Sequence, residues 1–348
     1  MDHLTIVLST KNMHHPPRHQ QPPETSMQRR TILSTLALTP MLGHFSSATA
    51  AESAESYPSK PIRLVVPFAP GGQFDGLARL FAEKLSASWK QTVIVENKTG
   101  AATMIGAAFV AKSPGDGYTI LFGASGVVQN PSLYPKMGYE ASELTPVARM
   151  HDIPFSLAVL TSSGVNTLAE FIAKAKAADG KLTYGQISTT SQALGEIFQQ
   201  SAGIKLVGIP YKGEANAVTD LLGGQIDATF VSPGTAANYP NKVKVLAITG
   251  TKRVARLPDV PTFDEAGITT LKQSGWGGIF LPSTTPRPIV NKLSAEIARI
   301  GVLPEVVQKT NNAGYPVSVA EAPEFERFVN SEYGYWRDIF KRYNIKAE

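Results

Sequence analysis

The amino-acid sequence predicts two α/β lobes joined by two chain crossings. Three observations carry that expectation. Short apolar runs alternate with helix-period segments between Ile62 and Phe122. The alternation restarts after Pro146-Val147-Ala148-Arg149 and continues to Ile248. The chain then crosses back near Gly275-Trp276-Gly277-Gly278 into helical segments that lack a sheet of their own. Two α/β lobes linked in this way form a hinged, cleft-binding protein.

Ile62–Val66 reads as a first strand and the stretch from about Asp75 to Ser88 as a helix, with Leu77, Leu80, Phe81 and Leu85 on one face. Gln91–Glu96 is a second strand, Met104–Lys112 a small-residue helix and Tyr118–Phe122 a third strand. This spacing predicts a parallel, doubly wound sheet, with ligands at the carboxyl ends of its strands. The turns at Gly72 and Ser125 both follow strands, so both face one crevice. In the second unit, Phe155–Leu160, Leu182–Gly185, Lys205–Ile209, Gln225–Val231 and Val243–Ile248 are strands. Leu168–Ala178 and Ala215–Leu222 are helices, Gln186–Gln192 is a polar turn, and a further helix runs through Leu194, Ile197 and Phe198. Pro288–Ile300, Pro304–Ala313 and Pro323–Tyr343 are helical and complete the first lobe. The expected lobes are thus 57–153 plus 275–348, and 154–274.

The first 26 residues are rich in His, Pro and Gln and read as an upstream extension. Residues 27–50 read as a signal peptide. Arg29-Arg30 precede a modest apolar stretch, and Ala48-Thr49-Ala50 is a cleavage site giving a mature start near Ala51. General secretion and the twin-arginine route both fit. The chain has no cysteine, which removes disulfides, thiolate metal sites, a thiol nucleophile and the anchor of a bacterial lipoprotein. A free periplasmic protein is expected. Five of the six histidines lie before residue 51, so His151 alone is left for metal or triad chemistry. It reads as a loop or boundary residue. Four of the 33 Lys+Arg and two of the 28 Asp+Glu also precede residue 51, leaving 29 against 26, a net charge near +3. There is no basic run or basic-aromatic stripe, and nucleic acid is not an expected partner. No cofactor and no metal are expected.

The most informative segment is Val65–Arg79. A strand runs into Ala69-Pro70-Gly71-Gly72-Gln73-Phe74-Asp75 and then into a helix. Paired glycines before a helix N-terminus aim backbone N–H groups at one point, which favours an anion. The turn has no Lys or Arg, so neutral dipoles hold that anion and release it readily.

Six blocks carry a resemblance. They are Tyr57-Pro58-Ser59-Lys60-Pro61-Ile62-Arg63 and Pro67–Gly72 with Asp75, then Glu96–Ala101 and Asp116–Leu121. Pro210-Tyr211-Lys212-Gly213 with Asp220–Asp227, and Leu257–Phe263 with Glu265-Ala266-Gly267, follow in order. From about Tyr57 to Ile345 the chain resembles the tripartite tricarboxylate transporter substrate-binding family, the Bug receptors. The resemblance implies a two-lobed periplasmic-binding-protein fold (type II, Venus-flytrap) with a ligand cleft between the lobes. It implies a monomeric receptor for a small organic acid, a mono- or dicarboxylate or an aromatic acid. It also implies delivery to one large and one small membrane subunit. In the family, a loop from each lobe holds one carboxylate, partly through water. The first loop maps onto Ala69–Asp75 and the second onto Gly185–Gln192. Members carry Gly-rich sequence in the second loop. This chain instead has four consecutive hydroxyls, Ser188, Thr189, Thr190 and Ser191.

Each candidate has two readings. Gly71 and Gly72 serve the turn, the ligand, or both. Asp75 is a first-turn acid or a partner for a ligand donor. Ser188–Ser191 supply an N-cap or hydroxyl donors to a carboxylate, directly or through water. Tyr211 lines the cleft or ends a strand, with Lys212 beside it solvated or adding charge. Asp227 is a structural acceptor or a pocket residue. Phe74 packs in the core or walls the ligand. Ser125 is a turn residue or, in the rival reading of a serine hydrolase, a nucleophile with His151 as base. Gly123-Ala124-Ser125-Gly126-Val127 is not G-x-S-x-G. A receptor for phosphate or a sulfonate is the other alternative, because backbone N–H groups suit any anion.

Overall fold

A computed structural model describes residues 53–347; the extension, the signal peptide and the start near Ala51 lie outside the described residues. Strand β1 (Ile62–Val66) follows from five residues of which four are fully buried apolar ones. It pairs in parallel with β2 (Val93–Asn97) and β3 (Thr119–Ala124). Between them run α1 (Gln73–Trp89) and α2 (Met104–Ala111). Helix α1 buries Leu77, Leu80, Phe81 and Leu85 on the expected face.

The first sheet has six strands in the order β11-β4-β10-β3-β1-β2, where β4 is Leu144–Ile153, β10 Gly275–Pro282 and β11 Val317–Glu321. Here the structure corrects the expected parallel sheet. Strands β10, β4 and β11 run antiparallel to their partners, so the sheet is mixed. The physical reason is the double crossing. The chain leaves along β4 and returns along β10, and the two pair side by side in opposite directions.

Two of these strands carry residues that disguise them. Pro146 lacks a backbone donor, and it sits where the β4–β10 register shifts between Ile279 and Phe280. All eight residues of β10 are buried, yet three are glycine. A Cβ on Gly277 would lie 2.4 Å from His151 Nε2, and one on Gly278 2.3 Å from Phe325 Cζ. The glycines let rings lie flat on the strand.

The second sheet has the order β7-β6-β8-β5-β9. Its strands are β5 (Ser156–Leu160), β6 (Thr183–Gln186), β7 (Val207–Pro210), β8 (Ala228–Val231) and β9 (Val243–Ile248). Strands β6, β7 and β8 are parallel, and β5 is antiparallel to β8 and β9. Phe198, Phe230 and Phe263 form a fully buried ring cluster with centroids 5.6–6.5 Å apart. Burying rings of this size contributes about 1.5–3 kcal/mol each.

Helices α4 (Leu168–Ala178), α5 (Thr189–Ala202), α6 (Glu214–Leu222) and α7 (Pro233–Ala237) belong to the second unit. Helices α8 (Arg287–Gly301), α9 (Pro304–Asn312) and α10 (Ala322–Arg342) follow β10, and α10 packs on β4. Helix α3 (Gly126–Leu133) lies between β3 and β4 and packs on both α5 and α10. The fold is therefore α/β and two-lobed. Among the described residues, no helix is long and apolar enough to cross a membrane.

Candidate functional site

Helix N-termini line the carboxyl ends of the parallel strands in both sheets. After β1, the turn to α1 exposes Ala69, Pro70 and Gly71 and half-buries Gly72 and Gln73. Gly71 has φ +86°, a left-handed conformation that favours glycine. Gly72 is the N-cap and offers no side-chain acceptor, so the first N–H groups of α1 carry no side-chain cap.

Asp75 is 3% exposed and saturated with donors. Its Oδ2 accepts from Gly71 N–H at 3.0 Å and Arg79 Nε at 2.9 Å. Its Oδ1 accepts from Asn97 Nδ2 at 2.8 Å and Arg79 Nη2 at 3.2 Å. Burial alone raises the pKa of this carboxyl, but the Arg79, Asn97 and Gly71 hydrogen bonds outweigh it and hold the group below its ordinary value. Asp75 thus clamps the turn rather than facing it as a free charge. Phe74 turns inward, with its ring centroid 4.6 Å from Phe68, 4.9 Å from Phe122 and 5.9 Å from His151.

Ser125 stands at the N-cap position of α3, after β3, makes no side-chain cap hydrogen bond and is 2% exposed. Its N–H donates to the Trp276 carbonyl at 3.1 Å, which ties it to β10. Across from it, the expected polar turn Gln186–Gln192 is shorter than its sequence suggests. Helix α5 begins at Thr189, because Ser188 and Ser191 form a reciprocal cap. Ser188 Oγ accepts from Ser191 N–H at 3.2 Å, and Ser191 Oγ accepts from Ser188 N–H at 2.9 Å and Ile187 N–H at 2.8 Å.

Thr189 and Thr190 are left to reach the other lobe. Thr190 Oγ1 lies 3.2 Å from Ser125 Oγ and donates to Gln129 Oε1 at 2.9 Å. Thr189 Oγ1 donates to Asn130 Oδ1 at 3.1 Å. One polar atom of the buried Gln129 amide has no partner. That holds whichever way the amide is turned, since only one of its ends meets Thr190.

Gln129 and Asn130 escaped the sequence reading. The available signal was spacing: Gln129 stands four residues after Ser125, one helical turn along the same face. Glu214, the first residue of α6, was also missed. Its carboxylate accepts from Ser232 N–H at 3.0 Å, Ser232 Oγ at 2.8 Å and Thr235 Oγ1. Burial pushes its pKa up, and these three bonds offset only part of that.

Tyr211 follows β7 on the same edge, and its N–H donates to the Gln186 carbonyl at 2.7 Å. Its hydroxyl donates to Asp220 at 2.7 Å, so it is already engaged. Asp227 is not brought to the others. It precedes β8 and accepts from the N–H and hydroxyl of Thr183, the first residue of β6. That is the amino end of the parallel strands, about 10 Å from the carboxyl end of β6, three steps along the strand. Asp227 is therefore set aside as a structural acceptor.

His151 also differs from expectation. It lies within β4, 1% exposed, neither loop nor boundary. Its ring stacks on Tyr315 at 5.4 Å, and neither ring nitrogen has a hydrogen-bond partner. Burial, then the Arg149 charge, pushes its pKa down to about 3, so it is neutral near pH 7. No hydrogen bond joins it to Ser125, whose hydroxyl belongs to Thr190. The nucleophile–base pair of a serine hydrolase is not assembled. Among the described residues, no cluster of His, Asp and Glu suits a metal ion.

The match to known proteins agrees with this architecture. The model of the tripartite tricarboxylate transporter family receptor, TctC, matches residues 77–345. The periplasmic binding protein BugD is 33% identical, with a TM-score of 0.78 over 84% of this chain and 100% of that one. A Rhodopseudomonas palustris protein with adipate is 30% identical, with a TM-score of 0.80 over 83% and 99% of the two chains. MatC from Rhodopseudomonas palustris with bound malate is 29% identical, with a TM-score of 0.75 over 81% and 99%. These similar proteins are substrate-binding proteins. The chain belongs to the tripartite tricarboxylate transporter receptor family.

Proposed function

We propose that this protein is a periplasmic receptor that captures a small organic carboxylate between its lobes and hands it to the large and small membrane subunits of a tripartite transporter. The observation that carries the reading is the Ser125–Thr190–Gln129 contact, which joins the carboxyl edges of the two sheets. The lobes are 57–153 with 275–348, and 154–274, in keeping with the membership of the two sheets. Export uses the signal peptide at 27–50, and the receptor works as a monomer.

One carboxylate oxygen meets the uncapped N–H groups of α1 beside Gly71 and Gly72. The other end of the ligand meets Ser125 and Thr190, whose contact across the lobes opens to admit it. Each hydrogen bond to a charged group contributes roughly 1.5–3 kcal/mol. Micromolar binding needs about 8 kcal/mol, so three or more donors must act together. A ligand touching both lobes binds the closed form better and shifts the population toward it. The same polar groups have no base beside them, which fits binding without turnover.

Calorimetry with adipate, malate, aromatic acids, phosphate and sulfonates tests the reading. We expect a carboxylate to bind in the micromolar range, and Thr190→Val to weaken it about tenfold, equivalent to about 1.4 kcal/mol. Binding of phosphate or a sulfonate with no response to any carboxylate would sink the assignment.

A further inference from the structure

Helix α10 ends in a built reversal rather than a frayed turn. The Ile345 N–H donates to the Phe340 carbonyl at 2.9 Å, and the Asn344 N–H to the Lys341 carbonyl at 3.4 Å. Asn344 takes the left-handed conformation this stop needs, with φ +51°. Phe340 and Ile345 occupy the two positions whose apolar contact accompanies such a stop, and both are buried in one core cluster.

The reversal carries the chain end from one sheet to the other. Helix α10 packs on β4 of the first sheet, and α5 packs on β6 of the second. The Tyr343 carbonyl, at the C-cap of α10, accepts from Gln200 Nε2 of α5 at 2.8 Å. An end carbonyl of one helix is thus satisfied by the flank of another. The Lys346 carbonyl accepts from Gln192 Nε2 at 3.1 Å. Gln192 and Gln200 stand about 12 Å apart along α5. Three residues of extended chain, from Tyr343 to Lys346, span about 10 Å. The lengths nearly match, so the segment lies along α5 and runs toward its first turn.

That first turn carries the groups that meet α3. Thr189 and Thr190 donate to Asn130 and Gln129, and Gln192 lies within one helical turn of both threonines. Helix α10 also packs on α3. Helix α5 is therefore tied at its start to α3 and along its flank to the end of α10, and those two helices pack on each other.

We propose that Tyr343–Lys346 is a strap that positions α5, with Gln192 and Gln200 as positioning residues for the ligand contact at Thr190, a role that rests on the proposed function. The strap links α3, α5 and α10 into one unit and fixes where the two threonines stand when the lobes meet. Without it α5 swings more freely on the chain crossings. A smaller fraction of molecules then holds the binding arrangement, and the apparent affinity falls by that fraction.

Amide hydrogen exchange of the ligand-free protein, read by mass spectrometry, tests the strap. Gln192→Ala combined with Gln200→Ala removes both donors. Alanine is the better helix former, so loosening of α5 reports the lost ties and not helix propensity. Exchange over the first turns of α5 is expected to quicken about tenfold, with β5 and β9 of the same sheet unchanged. A chain ending at Arg342, whose α5 sequence is intact, is expected to behave alike. Gln192→Lys combined with Gln200→Lys keeps an N–H donor at each position and is expected to restore slow exchange. Unchanged exchange in the alanine variant, or equal quickening in β5 and β9, overturns the proposal. Calorimetry with adipate is expected to show about tenfold weaker binding in the alanine variant. Unaltered affinity beside quickened exchange overturns the positioning role. Failure of the unaltered protein to bind adipate or malate counts against the proposed function instead, and the exchange result then decides the strap alone.

Discussion

Helices α1 and α5 both begin directly after a parallel strand, yet their first turns are finished in opposite ways. At α1 the cap is Gly72, with no side-chain acceptor, and the turn is exposed. At α5 the cap is Ser188 with Ser191 returning the bond, and Thr189, Thr190 and Ser191 are buried. The first end leaves its backbone donors without a side-chain acceptor. The second spends them internally and presents threonine hydroxyls instead. An anion site built from two such ends therefore has one backbone half and one side-chain half. Under the proposed function, the backbone half receives the carboxylate and the side-chain half supplies direction and selectivity.

The strongest way to break this contrast is to remove the clamp under the first turn. Asp75→Ala leaves the Arg79, Asn97 and Gly71 donors without their shared acceptor. We expect a loss of about 3 kcal/mol in urea unfolding, the scale for removing one partner of a buried charged network. The variant also reports on pH. The Asp75 carboxyl is held below its ordinary value, so its stabilisation is complete above about pH 4. It is lost as pH falls through the folded-state value. The variant is expected to show a shallower loss of stability on acidification, and an unchanged acid limb would contradict the role given to Asp75.

Ser191→Ala tests the second turn. It removes the acceptor for two backbone N–H groups, and about 1–2 kcal/mol is expected. Circular dichroism during thermal unfolding measures it. An effect within 0.3 kcal/mol of zero would mean that the cap is dispensable and that Ser191 is spare for ligand.

The smallest effect is expected at Gly71→Ala. No atom lies within 4 Å of the added Cβ, so only the left-handed backbone is strained. That costs about 1 kcal/mol. A loss above about 3 kcal/mol would show that the turn packs against something beyond its own backbone.

Much of this molecule is legible locally. Helices α4 and α8 and strand β9 follow directly from their apolar spacing. The Gly71-Gly72 turn is readable because a strand, a glycine pair and a helical face adjoin in sequence. Strand β4 was hidden by Pro146 and β10 by its glycines, both of which are tolerated only because of what lies alongside. Helix α3 was hidden by Pro131 and its lack of an apolar stripe. The roles within the hydroxyl run were equally hidden. Nothing local says that Ser188 and Ser191 pair with each other while Thr189 and Thr190 cross to α3.

By itself, then, the sequence determined the strand–turn–helix units, their turn chemistry and the family to which the chain belongs. Those depend on neighbours within a few positions and on ordered motifs. Only the tertiary structure decided strand direction in the first sheet, the burial of His151 and the meeting of Ser125 with Thr190. The last two residues are 65 positions apart, and packing of α3 against α5 is what brings their hydroxyls together.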